Sequence, residues 1–415
     1  MPALANLHNL AAVLVGFFFA SRRRFDLVVY TGAYVVGAEL VWRVCHATLS
    51  YESGKYSLIA VFGAGLLAMG RWRPSMSAII YFALLLPSGV LTIMTYHSEE
   101  ARQQLSFYLA GPLALAVGMI FLSNVQLTDR QLANMLIAMI GPIAGLAVIT
   151  LYATLTAPIL EFTTESNFVT SGGFGPNQVS SILGLGVFVC MFYALFSSAG
   201  RAFRLFITGL MLLCAVQSAM TFSRNGLYIA GVAAVFLGVF GFRLPVVRQR
   251  FVLGGLAIAV LATSVILPRL NSFTGGMLEA RFKETNTSHR DELVTDDIRI
   301  WLEHPVYGVG PGNARNFRDI GGSHFSAHTE FSRMLAEHGI FGAVGMIVLF
   351  VAGAHRLWKL RDAESRALTA TLFAWTILYM GANAMRVAAP SFAFGLAFMD
   401  FAPITRRLVR LRMAA

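Results

Sequence analysis

The feature that most restricts this chain is a run of apolar stretches, each about as long as a membrane span, separated by short loops rich in arginine. A helix needs about 20 apolar residues to cross the hydrocarbon of a bilayer. Counting on that basis places spans at 26–49, 57–70, 76–97, 105–126, 132–156, 179–198, 205–223, 226–242, 252–268, 340–357 and 368–385. A short last one lies near 391–404, and a further segment at 6–20 is left open as a span. The expectation is an all-α polytopic membrane protein with about 12 transmembrane helices. The composition agrees: 56% of the 415 residues are hydrophobic and only 13% are charged. A soluble chain of this length could not bury so much apolar surface.

The net charge of +11 would in a soluble protein suggest nucleic acid. Here the excess falls in the loops between spans, and no basic stripe interleaves with aromatics as single-strand binders require, so no nucleic-acid partner is expected. Arg22 to Arg24, Arg71 and Arg73, Arg130, Arg201 and Arg204, and Arg243, Arg248 and Arg250 occupy alternate loops. Arg356, Lys359, Arg361 and Arg366 continue the series, and Arg406, Arg407, Arg410 and Arg412 close it. Setting all of them in the cytoplasm is self-consistent across every span. Two segments are then left on the outer side: 157–178, and a long polar stretch from 269 to about 327. Arginines follow the first apolar segment instead of preceding it, which argues against a cleaved signal peptide. Cys45, Cys190 and Cys214 lie in apolar spans and read as small core residues.

This divides the chain into transmembrane helices over 1–268, a long outer loop over 269–339, and C-terminal helices with a basic tail over 340–415. No internal repeat is visible. Residues 288–304 carry Leu293, Val294, Ile298, Trp301 and Leu302 at helical spacing, which predicts an amphipathic helix over the membrane face.

Three stretches could carry chemistry. Arg224, in TFSRNGLY, sits between two spans on the outer side. An arginine at membrane depth costs ~2.5–3.5 kcal/mol unless it snorkels or finds a partner, and its planar donor fork suits a phosphate. Arg290 opens a stretch that runs through GVGPG at 308–312 to Phe317. No strand precedes those glycines and the spacing is wrong for a dinucleotide site, so they are read as tight turns. Arg299 falls in the same helix. In HTEFSRMLAEHGIFG, His328 stands at the outer boundary, where a neutral imidazole can accept a proton from a hydroxyl. His338 is a second, weaker candidate. His324 and His328 are four apart, but Phe325 occupies the position where a zinc protease needs glutamate, so no metal is expected. No serine-protease signature appears. The acidic pair at 296–297 has no nucleotide-sugar context.

Taken together, these stretches resemble the superfamily of O-antigen ligases and polymerases, bacterial membrane glycosyltransferases of the GT-C architecture. The family pattern has a loop arginine, an aromatic-bearing helix, Pro-x-x-Gly-x-Gly, then a histidine followed by two spaced glycines. Here it looks like Arg290, Trp301, Pro305, Gly308, Gly310, His328, Gly339 and Gly342. The family's Ser-Arg pair looks like Ser223 and Arg224, and its outer Pro-Asn like Pro176 and Asn177. The match runs from about 170 to 345. Thr329 replaces the usual Asn, Ser or Gln after the histidine, and Val294 replaces a leucine; both blur the division between ligase and polymerase.

The resemblance implies a transfer without metal or cofactor. The donor would be a glycan on undecaprenyl pyrophosphate and the acceptor a sugar hydroxyl of lipid A–core, with membrane lipids around both. His328 would be the base, Arg224 and Arg290 would bind the pyrophosphate, and Asn177 is a secondary candidate. The histidine–glycine spacing favours a ligase. The alternatives are a polymerase of the same superfamily, or a transporter of lipid-linked glycans. The latter needs no long folded loop, and many transporter folds show repeated halves.

Overall fold

A computed structural model describes residues 2–284, 290–318 and 329–401, with the side chain of Arg290 also outside the described set. The protein is an all-α polytopic membrane protein. Its helices are α1 (Pro2–Ser21), α2 (Phe25–Val44), α3 (Ser53–Met69), α4 (Met76–Thr95), α5 (Ser98–Leu122) and α6 (Asp129–Thr156). Then come α7 (Pro176–Phe196), α8 (Arg201–Met220), α9 (Asn225–Gly241) and α10 (Pro245–Leu261), which runs through a π-helical turn, Ala262–Ile266, into α11 (Leu267–Phe273). α12 (Met277–Lys283) and α13 (Arg290–Glu303) belong to the long polar stretch. α14 (Glu330–Lys359), α15 (Ala363–Ala382) and α16 (Ala389–Leu396) are the last of the described helices.

Among the described residues nine helices are long and apolar enough to cross a membrane, and α3 and α9 are shorter apolar helices. α1 is one of the nine, so the segment left open in the sequence is a full-length helix. α1 and the Pro245–Phe273 unit sit at the periphery, with Leu7, Leu10, Leu253 and Leu256 all more than half exposed. Such surfaces are stable only against lipid or another apolar body. The core is one large cluster in which Val36, Leu40, Phe62, Phe121, Leu183, Trp375 and Phe392 are fully enclosed.

The loop arginines that the structure describes lie at one end of the bundle. There Arg73 N–H donates to Asn124, Arg250 Nη1 donates to the Leu195 carbonyl, and Arg356 Nη2 donates to the Met399 carbonyl. The 157–175 segment, α12 and α13 lie at the other, called here the loop end.

The short last span is a broken crossing. α15 stops at Asn383 on the loop end, and the chain returns through non-helical backbone, the two turns of α16, and a two-residue strand. That strand, β2 (Asp400–Phe401), pairs in parallel with β1 (Gln126–Leu127) at the arginine end. Irregular backbone at this depth is tolerated only where protein satisfies its polar groups. Charged side chains do so here. Ala388 N–H donates to Glu39 at 2.7 Å, and Met385 N–H donates to Glu330 at 3.0 Å. The Arg386 carbonyl accepts from Arg43 at 2.9 Å and the Met385 carbonyl from Lys55 at 3.2 Å.

α14 is bent at Gly339, whose φ of 58° lies outside helical space. The bend frees the carbonyls of Ala336 and Glu337 and the N–H of Ile340 from the helical ladder. The Pro305–Gly312 turn takes up all three: Val309 N–H and Gly310 N–H donate to the two carbonyls, each at 2.9 Å, and Ile340 N–H donates to the Pro305 carbonyl at 2.8 Å. Gly308, Gly310 and Gly312 all have positive φ, so the tight turns expected of this stretch are present. A Cβ on Gly308 would lie 2.5 Å from the backbone of Glu337, so the turn can seat on the bend only as glycine.

α13 forms where the helical spacing placed it, but it packs differently from the expectation. The face against α14 carries Leu293, Asp296, Asp297 and Ile300, all buried, while Ile298 and Leu302 face outward at 41% and 69% exposure. The acidic pair therefore points inward, and part of the apolar stripe remains free on the outer side.

Candidate active site at the loop end

Two motifs far apart in the chain meet at the start of α7. Pro176 opens α7 at its first helical positions, where a missing N–H is harmless. Asn177 follows, and its Oδ1 accepts from Ser223 Oγ at 2.7 Å. Ser223 and Arg224 turn the chain from α8 into α9. Close packing holds that turn in place: a Cβ on Gly226 would meet the Ser180 carbonyl at 1.9 Å, and Gly226 N–H donates to Ser180 Oγ at 3.2 Å. Phe222, just before, has a φ of 56°, a left-handed conformation that is strained for a bulky side chain.

Arg224 is partly buried and donates from Nη1 to the backbone carbonyl of Glu284. Arg281 lies beside it, donating from Nε to the Phe222 carbonyl at 3.0 Å and from Nη1 to Glu284 at 2.9 Å. The end of α12 is thereby tied to the α8–α9 junction. Arg290 is the first residue of α13. Arg299 stays within its own surroundings, donating to the Phe317 carbonyl at 2.9 Å and pairing with Asp296 at 3.3 Å and Glu303 at 3.5 Å.

His328 and His324 lie outside the described residues. Thr329, next in the chain, is the N-cap of α14, its hydroxyl accepting from Ser332 N–H at 3.1 Å. His338 is fully buried where α4 packs on α14, with Nδ1 against Ser88 Oγ and no hydrogen-bond partner at Nε2 among the described residues. The ring is part of that packing.

Several charged residues that motif reading did not single out gather at the same end. Arg333, in the second turn of α14, is 2% exposed. It binds Glu330 through Nε at 3.1 Å and Glu337 through Nη1 at 2.6 Å, and it stacks on Tyr108 at 5.3 Å from the ring centre. Arg43 donates to Glu39 at 2.6 Å and to Gln178 at 2.7 Å, and lies 4.0 Å from the centre of the Tyr51 ring. Lys55 and Glu52 form a third enclosed ion pair. Their signal in the sequence was charge inside apolar runs, which marks a function or a partner.

A chain of hydrogen bonds links these parts. From Ser223 it passes to Asn177, whose carbonyl accepts from Ser181 Oγ at 2.7 Å. Ser181 Oγ accepts from Asn383 at 3.2 Å. Two residues on, Met385 N–H reaches Glu330. The Ser-Arg junction is thus connected to the first turn of α14, one residue beyond Thr329. A cavity of about 430 Å³ between Asp129, Tyr193 and Glu364 lies at the opposite ends of the same helices.

Among the described residues no group of three or more His, Cys, Asp or Glu side chains is arranged to hold a metal ion. What the arrangement offers is guanidinium groups beside the membrane surface and a helix start fixed from several sides.

No curated protein sequence matches the chain. Residues 186–347, which include the Ser-Arg junction, the glycine turn and the bend of α14, match the family model described as O-antigen ligase, consistent with a member of the O-antigen ligase superfamily.

Proposed function

We propose that the protein is an O-antigen ligase acting at the outer face of the bacterial inner membrane. It would move a glycan from undecaprenyl pyrophosphate to a sugar hydroxyl of lipid A–core. The observation that carries this reading is the hydrogen-bonded path from Ser223 and Asn177 to Glu330, which brings motifs some 150 residues apart to one end of the bundle.

In the proposed reaction the acceptor oxygen attacks C1 of the donor sugar, and the bond from C1 to the pyrophosphate oxygen breaks. The hydroxyl proton passes to His328, and undecaprenyl pyrophosphate leaves as the anion. Direct displacement inverts C1. Arg224 and Arg290 would stabilise the charge that develops on the leaving oxygens, where a low dielectric strengthens each contact. The donor's tail can remain in hydrocarbon. An apolar groove of about 210 Å³ between α14 and α15, lined by Phe331, Leu349, Phe350, Gly353 and Ile377, opens beside the first turn of α14 and supports this placement.

The test is a transfer assay with purified protein, undecaprenyl-pyrophosphate glycan and lipid A–core in the presence of EDTA. Glycan on lipid A–core is the expected product. Lengthened undecaprenyl-linked chains would make the protein a polymerase instead. Net movement of intact donor across a bilayer with no transfer would favour a transporter.

The orientation has its own test. In a Cys45→Ala background, Glu303→Cys should react with an impermeant maleimide added outside spheroplasts, and Arg361→Cys only after lysis. The reverse pattern would place the loop end in the cytoplasm and remove the proposed reaction with it.

A further inference from the structure

Asp297 is 1% exposed, yet it lies in the polar stretch of the chain on a 14-residue helix with solvent on one side. An enclosed carboxylate is stable only if its lone pairs are filled. They are. Oδ1 accepts from Arg318 Nε at 3.0 Å and from Arg318 Nη2 at 2.6 Å, and Oδ2 accepts from Ser332 Oγ at 2.7 Å. Ser332 belongs to the first turn of α14, and its own N–H is the one that Thr329 caps. Glu330, in the same turn, is held from the opposite side by Met385 N–H and Arg333. The turn is therefore gripped between α13 and the broken crossing.

From this grip we infer that Asp297 is a positioning residue for transfer: through Ser332 and the Thr329 cap it fixes the start of α14, the element that follows His328 in the sequence. The inference rests on the reading of His328 as base. A misplacement of about 1 Å in a reacting group can cost ~10²-fold in rate. Asp297 needs no contact with either substrate to exert such an effect.

Asp297→Asn keeps the shape but loses the charge that Arg318 pairs with, and Asp297→Glu keeps the charge at a different reach. Both are assayed in the full-length protein with undecaprenyl-pyrophosphate glycan and lipid A–core, alongside Ser332→Ala. The expected result is a kcat lowered ~10- to 10²-fold in Asp297→Asn with the donor KM within about twofold of wild type. Ser332→Ala should show a smaller fall of the same kind. Asp297→Glu should recover part of the loss. The acidic limb of the pH–rate profile, which reports the ionisation of a general base, should shift in Asp297→Asn. A lowered thermal midpoint with kcat per folded molecule and pH profile unchanged would make Asp297 purely structural and overturn the inference. If Asp297→Asn does not fold, an unchanged kcat in Ser332→Ala overturns it equally. Absence of transfer by wild type would count against the proposed function itself, and full activity of His328→Ala against the base on which this inference rests.

Discussion

Replacing His328 with alanine is expected to lower the rate of glycan transfer by ~10²–10⁴, the usual contribution of a general base. A sugar hydroxyl holds its proton far above neutral pH, so attack on C1 needs an acceptor for that proton as the bond forms. Imidazole is the side chain whose ordinary pKa leaves it neutral and still basic near pH 7. Because the base acts in the transition state, kcat and kcat/KM should fall together, with donor affinity little changed. The measurement is steady-state transfer with donor binding followed separately. A rate within threefold of wild type would remove His328 from the mechanism. His338→Ala is the informative partner. Its ring is sealed against Ser88 between α4 and α14, so its loss should lower stability more than it alters the pH dependence of the chemistry.

Glu330→Ala should cost about 3 kcal/mol of stability: it takes one of two carboxylates from a buried guanidinium that keeps Glu337, and it leaves a buried backbone N–H unsatisfied, itself worth ~1–3 kcal/mol. Glu330 is fully enclosed and performs two tasks: it pairs with Arg333 and accepts the Met385 N–H of the broken crossing. Its removal leaves a guanidinium with Glu337 alone and a backbone donor with no acceptor. Glu337→Gln should be milder, since Arg333 keeps the closer carboxylate and the amide can still accept from it. Denaturant unfolding in detergent micelles would rank the two. An unfolding free energy for Glu330→Ala within about 1 kcal/mol of wild type would show that the pair contributes little beyond its own desolvation cost.

The helical framework was legible because hydropathy reports membrane depth directly. The errors have physical causes. α5 begins at Ser98, seven residues before the apolar run, because its first two turns are polar and lie at the loop end. The last crossing reads as a short helix because residues 384–399 are almost all apolar, and composition does not reveal whether backbone is helical. Glu39, Arg43, Lys55 and Glu330 were visible as charges in or near apolar runs. Their partner, the 385–388 backbone, is remote in sequence, and no local pattern connects the two. The glycine turn shows the opposite. Its need for positive φ could be read from the residues, while its purpose, to clothe the bend at Gly339, could be seen only in three dimensions. For α13, period alone could not tell which of two apolar stripes faces the protein, nor that Asp297 accompanies the inner one.

The broken crossing also bears on how the protein is made. A stretch of non-helical backbone cannot partition into lipid by itself, since its free N–H and C=O groups would meet hydrocarbon. Its acceptors and donors come from α2, α3 and α14, two of them synthesised early and one late. Residues 383–401 can therefore enter the bundle only after those helices have assembled, and this segment closes a structure already built. Biogenesis would then have a natural checkpoint: a chain with Glu39, Lys55 or Glu330 altered would insert its long helices normally, yet leave its final crossing outside the bundle and open to proteolysis.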